Sequence, residues 1–358
     1  MRRVLFLTLL SGIALLHADE ASLDTRISTL EKNVNPSGRS EVRQGTDLFL
    51  FGDLLYWTAR VNGLNTAVVQ SDPTVTSFKR LNDAHITTLH GDWSWGFRVG
   101  CGYNIGHDKW DLKLTYLRFT DHGHKHISTG EGVAIYPTPV MPFAPVFDEN
   151  NQYASAMTSS WHLNLNQLDL DLGREFFVSS YLTLRPHGGI RSNWIQQSMR
   201  NFYEVLNVFP STDTSVKAKD HWWGLGLAGG VDTQWSLGGG WSLFGNLAAA
   251  ILYGFHPVTD THVDSPTEDP SNTTLFAHVD NTYRISQPIL DLQAGLAWDH
   301  LFFKDRFHLG LQLGWEQHVY FSQNRFSTFT GLRQRGSFTS NPGDLTLQGW
   351  TASMRMDF

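Results

Sequence analysis

Charged side chains recur at alternate positions in several stretches of the chain, each time opposite an apolar set. Asp111 and Lys113 alternate with Trp110, Leu112 and Leu114, and Asp169, Asp171 and Glu175 stand against Leu168, Leu170 and Leu172. Arg185, His187 and Arg191 oppose Leu182, Leu184, Pro186 and Ile190, and Asp291 and Asp299 oppose Leu290, Leu292, Leu296 and Trp298. Glu316 faces away from Leu311, Leu313 and Trp315, and Arg355 and Asp357 face away from Met354, Met356 and Phe358. Asp232 completes the set. A period of two belongs to a β-strand, whose successive side chains point to opposite faces. Charges gathered on one such face need water or partners. They can line a wet lumen, where the excess of acids over bases implies a weak cation preference. Alternatively they pair with each other in a filled, salt-bridged interior.

Other reactive groupings are sparser. His122, His124 and His126 bring three imidazoles together, as a metal site requires, but no nearby acid or cysteine completes it. They read as histidines of an exposed loop, and neither metal nor cofactor is expected. Serines and histidines are present without a nucleophile, base and orienting acid in a recognisable arrangement, so no catalytic residue is assigned and an outer-membrane hydrolase is the weakest of the readings. The single cysteine, Cys101, cannot form an internal disulfide. It shares a face with Phe97, Val99 and Tyr103 and reads as a small lipid-facing hydrophobe. The run from Tyr136 to Pro145 is stiff and extended, as repeated prolines dictate.

The elements that must hold the charges are strands near 47–59, 94–105, 109–120, 163–176, 181–195, 222–236, 241–254, 288–302, 306–320 and 344–358. Each is long enough to cross a bilayer at a tilt. Leu163 and Leu165 fall out of phase with Leu168, Leu170 and Leu172, which predicts a bulge near Asn166 and Gln167. Tight turns at 105–109, 178–180, 238–240 and 304–305 alternate with long polar connections at 60–93, 121–162, 196–221, 255–287 and 321–343. Short turns on one side and long loops on the other are the habit of transmembrane barrels. Trp110, Tyr181, Trp194, Trp222, Trp223, Trp241, Tyr253, Trp298, Trp315 and Tyr320 fall near strand ends, where interface girdles sit. The fold expected is all-β: an antiparallel transmembrane β-barrel of about 10 strands, 10–12 favoured. Weak β character at 64–70, 85–90, 132–136 and 273–279 reads as plug or extracellular segments; if every long loop hid a membrane hairpin, the count would reach 16.

The start of the chain has a different character. Arg2 and Arg3, an apolar run to Leu16 and the small Ala18 describe a secretory signal peptide over residues 1–18. Its removal takes two arginines and no acid, so the formal net charge of −7 becomes −9. An acidic chain of this kind excludes nucleic acid as a default partner. In residues 19–45, Leu23, Ile27, Leu30 and Val34 form a short helical seam. It is either a periplasmic coiled coil that would help assemble a homotrimer or a frayed amphipathic linker. The barrel is expected over residues 46–358. In its last strand Trp350, Met354, Met356 and Phe358 face lipid, and this row is the expected recognition signal for the outer-membrane assembly machinery.

Family character enters with the strand and turn motifs. Asp53-Leu-Leu-Tyr-Trp57, Trp95-Gly-Phe-Arg-Val-Gly100 and Leu168-Asp-Leu-Asp-Leu-Gly-Arg-Glu-Phe-Phe177 resemble the Legionella-type major outer-membrane, pore-forming family, also found in environmental chlamydiae as chlamydial major-outer-membrane-protein-like chains. Tyr181-Leu-Thr-Leu-Arg-Pro186, Phe244-Gly-Asn-Leu-Ala248 and Gly343-Asp-Leu-Thr-Leu-Gln-Gly349 extend the likeness from about Asp47 to Phe358. The resemblance implies a multi-pass barrel in the bacterial outer membrane with porin activity, passing small hydrophilic solutes or ions. Chlamydial major outer-membrane proteins are cysteine-rich and cross-linked, whereas this chain has one cysteine, so a disulfide-supported envelope role does not carry over. A surface-exposed structural or adhesive barrel with a filled lumen is the alternative.

Overall fold

The computed structural model describes residues 46–70, 84–105, 110–128, 134–138, 154–204, 212–266, 271–304, 306–329, 338–340 and 342–358. The expected signal peptide, the 19–45 segment, the turn at 106–109 and the proline run beyond residue 138 lie outside them. In chain order the strands are β1 (Leu48–Val61), β2 (Asn65–Gln70), β3 (Ala84–Thr88), β4 (Trp93–Asn104), β5 (Trp110–Ser128), β6 (Ala134–Pro137), β7 (Ala156–Arg174) and β8 (Phe176–Phe177). They continue as β9 (Leu182–Glu204), β10 (Thr212–Gly238), β11 (Trp241–Pro266), β12 (Thr274–Phe302), β13 (Phe307–Asn324), β14 (Ser327–Phe329), β15 (Phe338–Ser340) and β16 (Gly343–Asp357).

Ten of these close a barrel. β1, β4, β5, β7, β9, β10, β11, β12, β13 and β16 each pair antiparallel with the next, and β16 returns to β1 in register from Asp357 opposite Phe49 to Leu345 opposite Val61. The Phe358 amide donates to the Leu48 carbonyl at 3.0 Å, and the Thr46 amide donates to the Phe358 carbonyl at 2.8 Å. A closed ring leaves no unpaired backbone facing hydrocarbon. Outward from it stand Leu50, Leu54, Leu112, Leu114, Leu170, Leu225, Leu227, Leu247, Leu292, Leu313 and Met354, all exposed. These large apolar side chains form the band that lipid covers.

The strands are longer than the band requires. β9, β10, β11 and β12 run for 23, 27, 26 and 29 residues, where about ten suffice for a tilted crossing. The segments 196–221 and 255–287, read from sequence as loops, are therefore mostly strand. The same holds for His122, His124 and His126, which lie in the upper part of β5. The reason is a reversal of polarity along the strands. Above the band the outward positions meet water and turn polar, while the inward positions turn apolar. On β7, Leu163 and Leu165 are fully buried inside the barrel, whereas Leu168, Leu170 and Leu172 are exposed outside it. The pairing of β7 with β5 and β9 runs without interruption across Asn166 and Gln167, so the predicted bulge is absent. The apolar residues change face because the surroundings change, with no extra residue inserted.

β2, β3 and β6 form a separate three-stranded sheet drawn from the two connections after β1 and β5. Ala67 and Val69 of β2 pack with Ile135, Met157 of β7, Tyr203 of β9 and Val216 of β10 in a second core. The Tyr203 hydroxyl donates to the Thr66 carbonyl at 2.6 Å. This small sheet is a lid across the outer mouth, built from three of the four weakly β-like segments expected as plug or extracellular pieces, whereas the fourth, 273–279, belongs to barrel strand β12.

Candidate functional site

The barrel interior is organised in levels. At the end carrying the short turns lies a cavity of about 380 Å³. Its wall includes Asp111, Lys113, Glu175, Arg185, Asp232, Asp299 and Arg355, and it reaches the turn residues Ser236, Gly240 and Trp241. Inward glycines on β4 make room for inward aromatics on β1. A Cβ at Gly100 would overlap the Phe51 ring, and one at Gly102 would overlap the Phe49 ring. Those two rings then carry cations: Lys113 Nζ lies 4.5 Å from the Phe51 centroid, and the Arg355 guanidinium lies 4.0 Å from that of Phe49.

Most charges around the cavity are paired. Arg185 holds Asp111 at 2.5 Å and Asp232 at 2.9 Å. His187 lies 3.7 Å from Asp171 and 3.6 Å from Asp232. His308 meets Asp357 at 2.7 Å and Asp299 at 3.3 Å, and Arg355 also reaches Asp357 at 2.7 Å.

From the cavity's upper wall, which Asp53 and Arg98 line, one continuous chain of opposite charges crosses the lumen. Asp53 on β1 accepts from Arg98 on β4 at 3.0 Å, and Arg98 continues to Glu316 on β13 at 2.5 Å. His318 lies 3.0 Å from Glu316 and 2.6 Å from Asp291 on β12. Arg191 on β9 then bridges Asp291 at 2.5 Å and Asp169 on β7 at 2.8 Å. Neutral donors satisfy further lone pairs: Thr351 donates to Glu316 at 2.7 Å, and Gln167 donates to Asp169 at 2.7 Å. Low local dielectric strengthens each of these contacts and penalises any unpaired member.

The next level is apolar. Trp57 packs at a tilt against His318, with centroids 4.9 Å apart, and against Phe119 at 5.5 Å, and its indole N–H donates to Thr351 at 3.0 Å. Leu55, Trp57, Ala59, Leu163, Leu165, Ile195, Leu252, Leu345 and Leu347 are all 0 % exposed. With Phe119, Trp161 and Trp222 they form one contiguous cluster. This septum lies between the charged chain and the lid. It is threaded by amides: Asn193, Gln197 and Asn201 on β9 are buried, with neither end of any of them hydrogen-bonded to a described residue. Beside β14, burial pushes the Asp260 carboxyl up to about 7, although Ser327 donates to it. Burial likewise raises Asp121, which accepts from the amides of Ala59 and His122 and from the Ser94 hydroxyl.

All thirteen charged positions picked out from the sequence lie on inward faces: seven line the cavity wall, and Asp169, Asp171, His187, Arg191, Asp291 and Glu316 enter the ion pairs above. Sequence reasoning missed Arg98 and its partner Asp53, the hub of the crossing chain. The signal was present: Trp95, Phe97, Val99 and Cys101 alternate outward, which turns Arg98 inward. Of the terminal row, Trp350 and Met354 are exposed and Trp350 meets Trp315 edge-on at 5.5 Å, while Phe358 meets Phe307 at 6.1 Å. Cys101 is a free, exposed thiol on the lipid side. Among the described residues, no group of three or more His, Cys, Asp or Glu is placed to hold a metal ion.

The crystal structure of the outer membrane protease OmpT from Escherichia coli is similar over 89% of this chain and 100% of that one, with 8% identity and a TM-score of 0.44. A major outer membrane protein from Thermus thermophilus covers 86% of this chain and 98% of its own, at 9% identity and a TM-score of 0.29. A Pseudomonas aeruginosa FadL homologue covers 87% and 90%, at 8% identity and 0.28. No curated protein sequence matches. The model of the Legionella pneumophila major outer membrane protein precursor family matches residues 46–358, the whole barrel, and the chain belongs to that family of bacterial outer-membrane β-barrels.

Proposed function

We propose that this protein is an outer-membrane barrel whose lumen is closed at rest, a rigid surface element of the envelope in place of a permanently open pore. The observation that supports this reading is the septum. Tryptophan, phenylalanine and leucine side chains from opposite walls meet there without solvent exposure. A ten-stranded ring has little more interior than side chains can fill. Hydrated ions would have to displace close-packed apolar groups, and below them an unbroken chain of ion pairs.

A second reading, a gated pore for small hydrophilic solutes or ions, draws on two specific features. The cavity already hollows the lower half of the barrel, and the unpartnered amides of Asn193, Gln197 and Asn201 give the septum polar groups that water would satisfy. An opened lumen would present more acids than bases, hence the weak cation preference. Planar-bilayer recording separates the readings. The closed barrel gives no current from folded wild-type protein, while Trp57→Ala combined with Phe119→Ala and Trp161→Ala conducts. Steady ohmic steps from the wild type would overturn the closed reading in favour of a porin, and voltage-dependent switching would favour the gate. The outward terminal row of Trp350, Met354, Met356 and Phe358 is proposed as the contact for the assembly machinery. Deleting Phe358 should then lower insertion and leave export intact.

A further inference from the structure

The outward face above the lipid band changes charge character over one sector of the barrel. Apart from Phe202, a separate outward aromatic near the tip of β9, the continuous outward apolar band on β5, β7, β9 and β10 ends at Tyr116, Leu168, Trp194 and Trp223. Beyond them the outward positions carry Arg118, His122, His162, Arg200, Lys217 and Lys219, all exposed or partly so. The outward positions between these are Thr120, Ser160, Asn164, Gln196 and Ser198, none of them acidic. In a chain of formal net charge −7, this is a strongly biased patch. Asp92 touches its edge, 3.9 Å from His122, and Glu204 and Asp213 lie further out, toward the strand tips.

The register makes the bias costly. Arg200 is directly opposite Lys217, and His122 is directly opposite His162. Like charges facing each other across a strand pair repel and destabilise the sheet. One such pair of permanent charge, with two opposed imidazoles on the adjoining strands, is the arrangement of a surface that meets anions. Its height selects the anion. The cations begin at Arg118, two residues above Tyr116, and continue through Lys219, four residues beyond Trp223, to Arg200 and Lys217, six residues beyond Trp194 and Trp223, so they span the phosphorylated sugar headgroups of the outer leaflet from the lipid boundary outward. The apolar band continues directly beneath them, so a single ligand could place acyl chains on Leu168, Trp194 and Trp223 and phosphates on Arg118, Arg200, Lys217 and Lys219.

We infer that the β5–β10 sector is a binding surface for a phosphorylated glycolipid of the outer leaflet. Phosphate bridges the opposed Arg200 and Lys217, and the interaction is electrostatic above and apolar below. The inference is independent of whether the lumen conducts.

Its test uses folded full-length protein in neutral detergent, with diphosphorylated lipid A and its enzymatically dephosphorylated form as paired probes. Bound lipid is counted by native mass spectrometry. Wild-type protein should retain the phosphorylated form and lose it as salt is raised. Each cation beside an anionic surface is worth about fivefold, so Arg200→Gln with Lys217→Gln should weaken binding about 30-fold. Equal retention of both lipid forms by the wild type would overturn the proposal without any variant. So would a folded double variant that binds as well as wild type. A control pair outside the sector, Arg60→Gln with Arg284→Gln, should change retention less than about threefold.

Discussion

Within β7, two sets of leucines teach opposite lessons. Leu168, Leu170 and Leu172 face outward and are covered by lipid, whereas Leu163 and Leu165, a few residues along, face inward and are covered by protein. Below the crossover the barrel is a membrane protein, apolar outside and charged inside. Above it the same strands make an ordinary water-soluble barrel, with an apolar core and a polar, partly cationic surface. One continuous hydrogen-bonded wall serves both because a strand offers two faces and the solvent decides which must be apolar.

The contrast can be broken at either level. The largest effect belongs to the charged level: Arg191→Ala leaves Asp169 and Asp291 buried without their shared partner, and should cost about 3–5 kcal/mol in urea unfolding from micelles. Next comes the septum. Leu163→Ala should cost about 3 kcal/mol, because transfer and cavity terms add, while Leu170→Ala should cost about 2 kcal/mol, since lipid fills the space left behind. Equal costs would show that Leu163 is not in a dry core. The third measurement sharpens the upper region through pH. The Asp260 carboxyl has a folded-state value of about 7, above the usual carboxylate value of 3.8. The native state therefore binds the proton more tightly, and this group's contribution to stability is greatest at low pH and is lost as pH rises to 7. Between pH 4 and 7, wild-type protein should lose up to about 1.4 kcal/mol per pH unit relative to Asp260→Asn, and the difference should be flat above about pH 8. The smallest effect is at Cys101. Cys101→Ser should change stability by no more than about 0.5 kcal/mol, and Cys101 should react with a lipid-soluble maleimide in vesicles and resist an impermeant one.

The same contrast explains what could be read from the chain. Inside the bilayer, every strand must repeat apolar on one face and polar on the other, so alternation sets Asp111, Asp169, Arg185 and Arg355 opposite the apolar stripe, while export, loop asymmetry and strand-end aromatics are what turn that polar face inward. Outside it the rule is lifted and then inverted. Thr214, Val216, Ala218 and Asp220 alternate inward on β10, but with no outward apolar stripe their segment reads as a polar loop. Leu163 and Leu165 read as a bulge for the same reason. The crossing chain of ion pairs was invisible for a different cause. Arg98 and Glu316 are separated by 218 positions, and nothing in either strand's period says which acid meets which base. Only closure of the ring brings them together. The lid escaped full description because its strands are short, and their partners come from separate connections.

The crossing chain also bears on how the barrel is made. Its acids and bases come from β1, β4, β7, β9, β12 and β13, so no hairpin contains a complete set. A sheet threaded into hydrocarbon two strands at a time would keep local pairs such as Asp53–Arg98 and Glu316–His318 but would lack the contacts of Arg98 with Glu316 and of Arg191 with Asp291 that join one hairpin to another, leaving these ions only partly compensated. The order of assembly is thereby constrained. Strands must gather while their inner faces are still wet, and water can leave the lumen only when β16 reaches β1. Insertion and ring closure become a single cooperative event, with the interior charges acting as a checkpoint against half-built sheets.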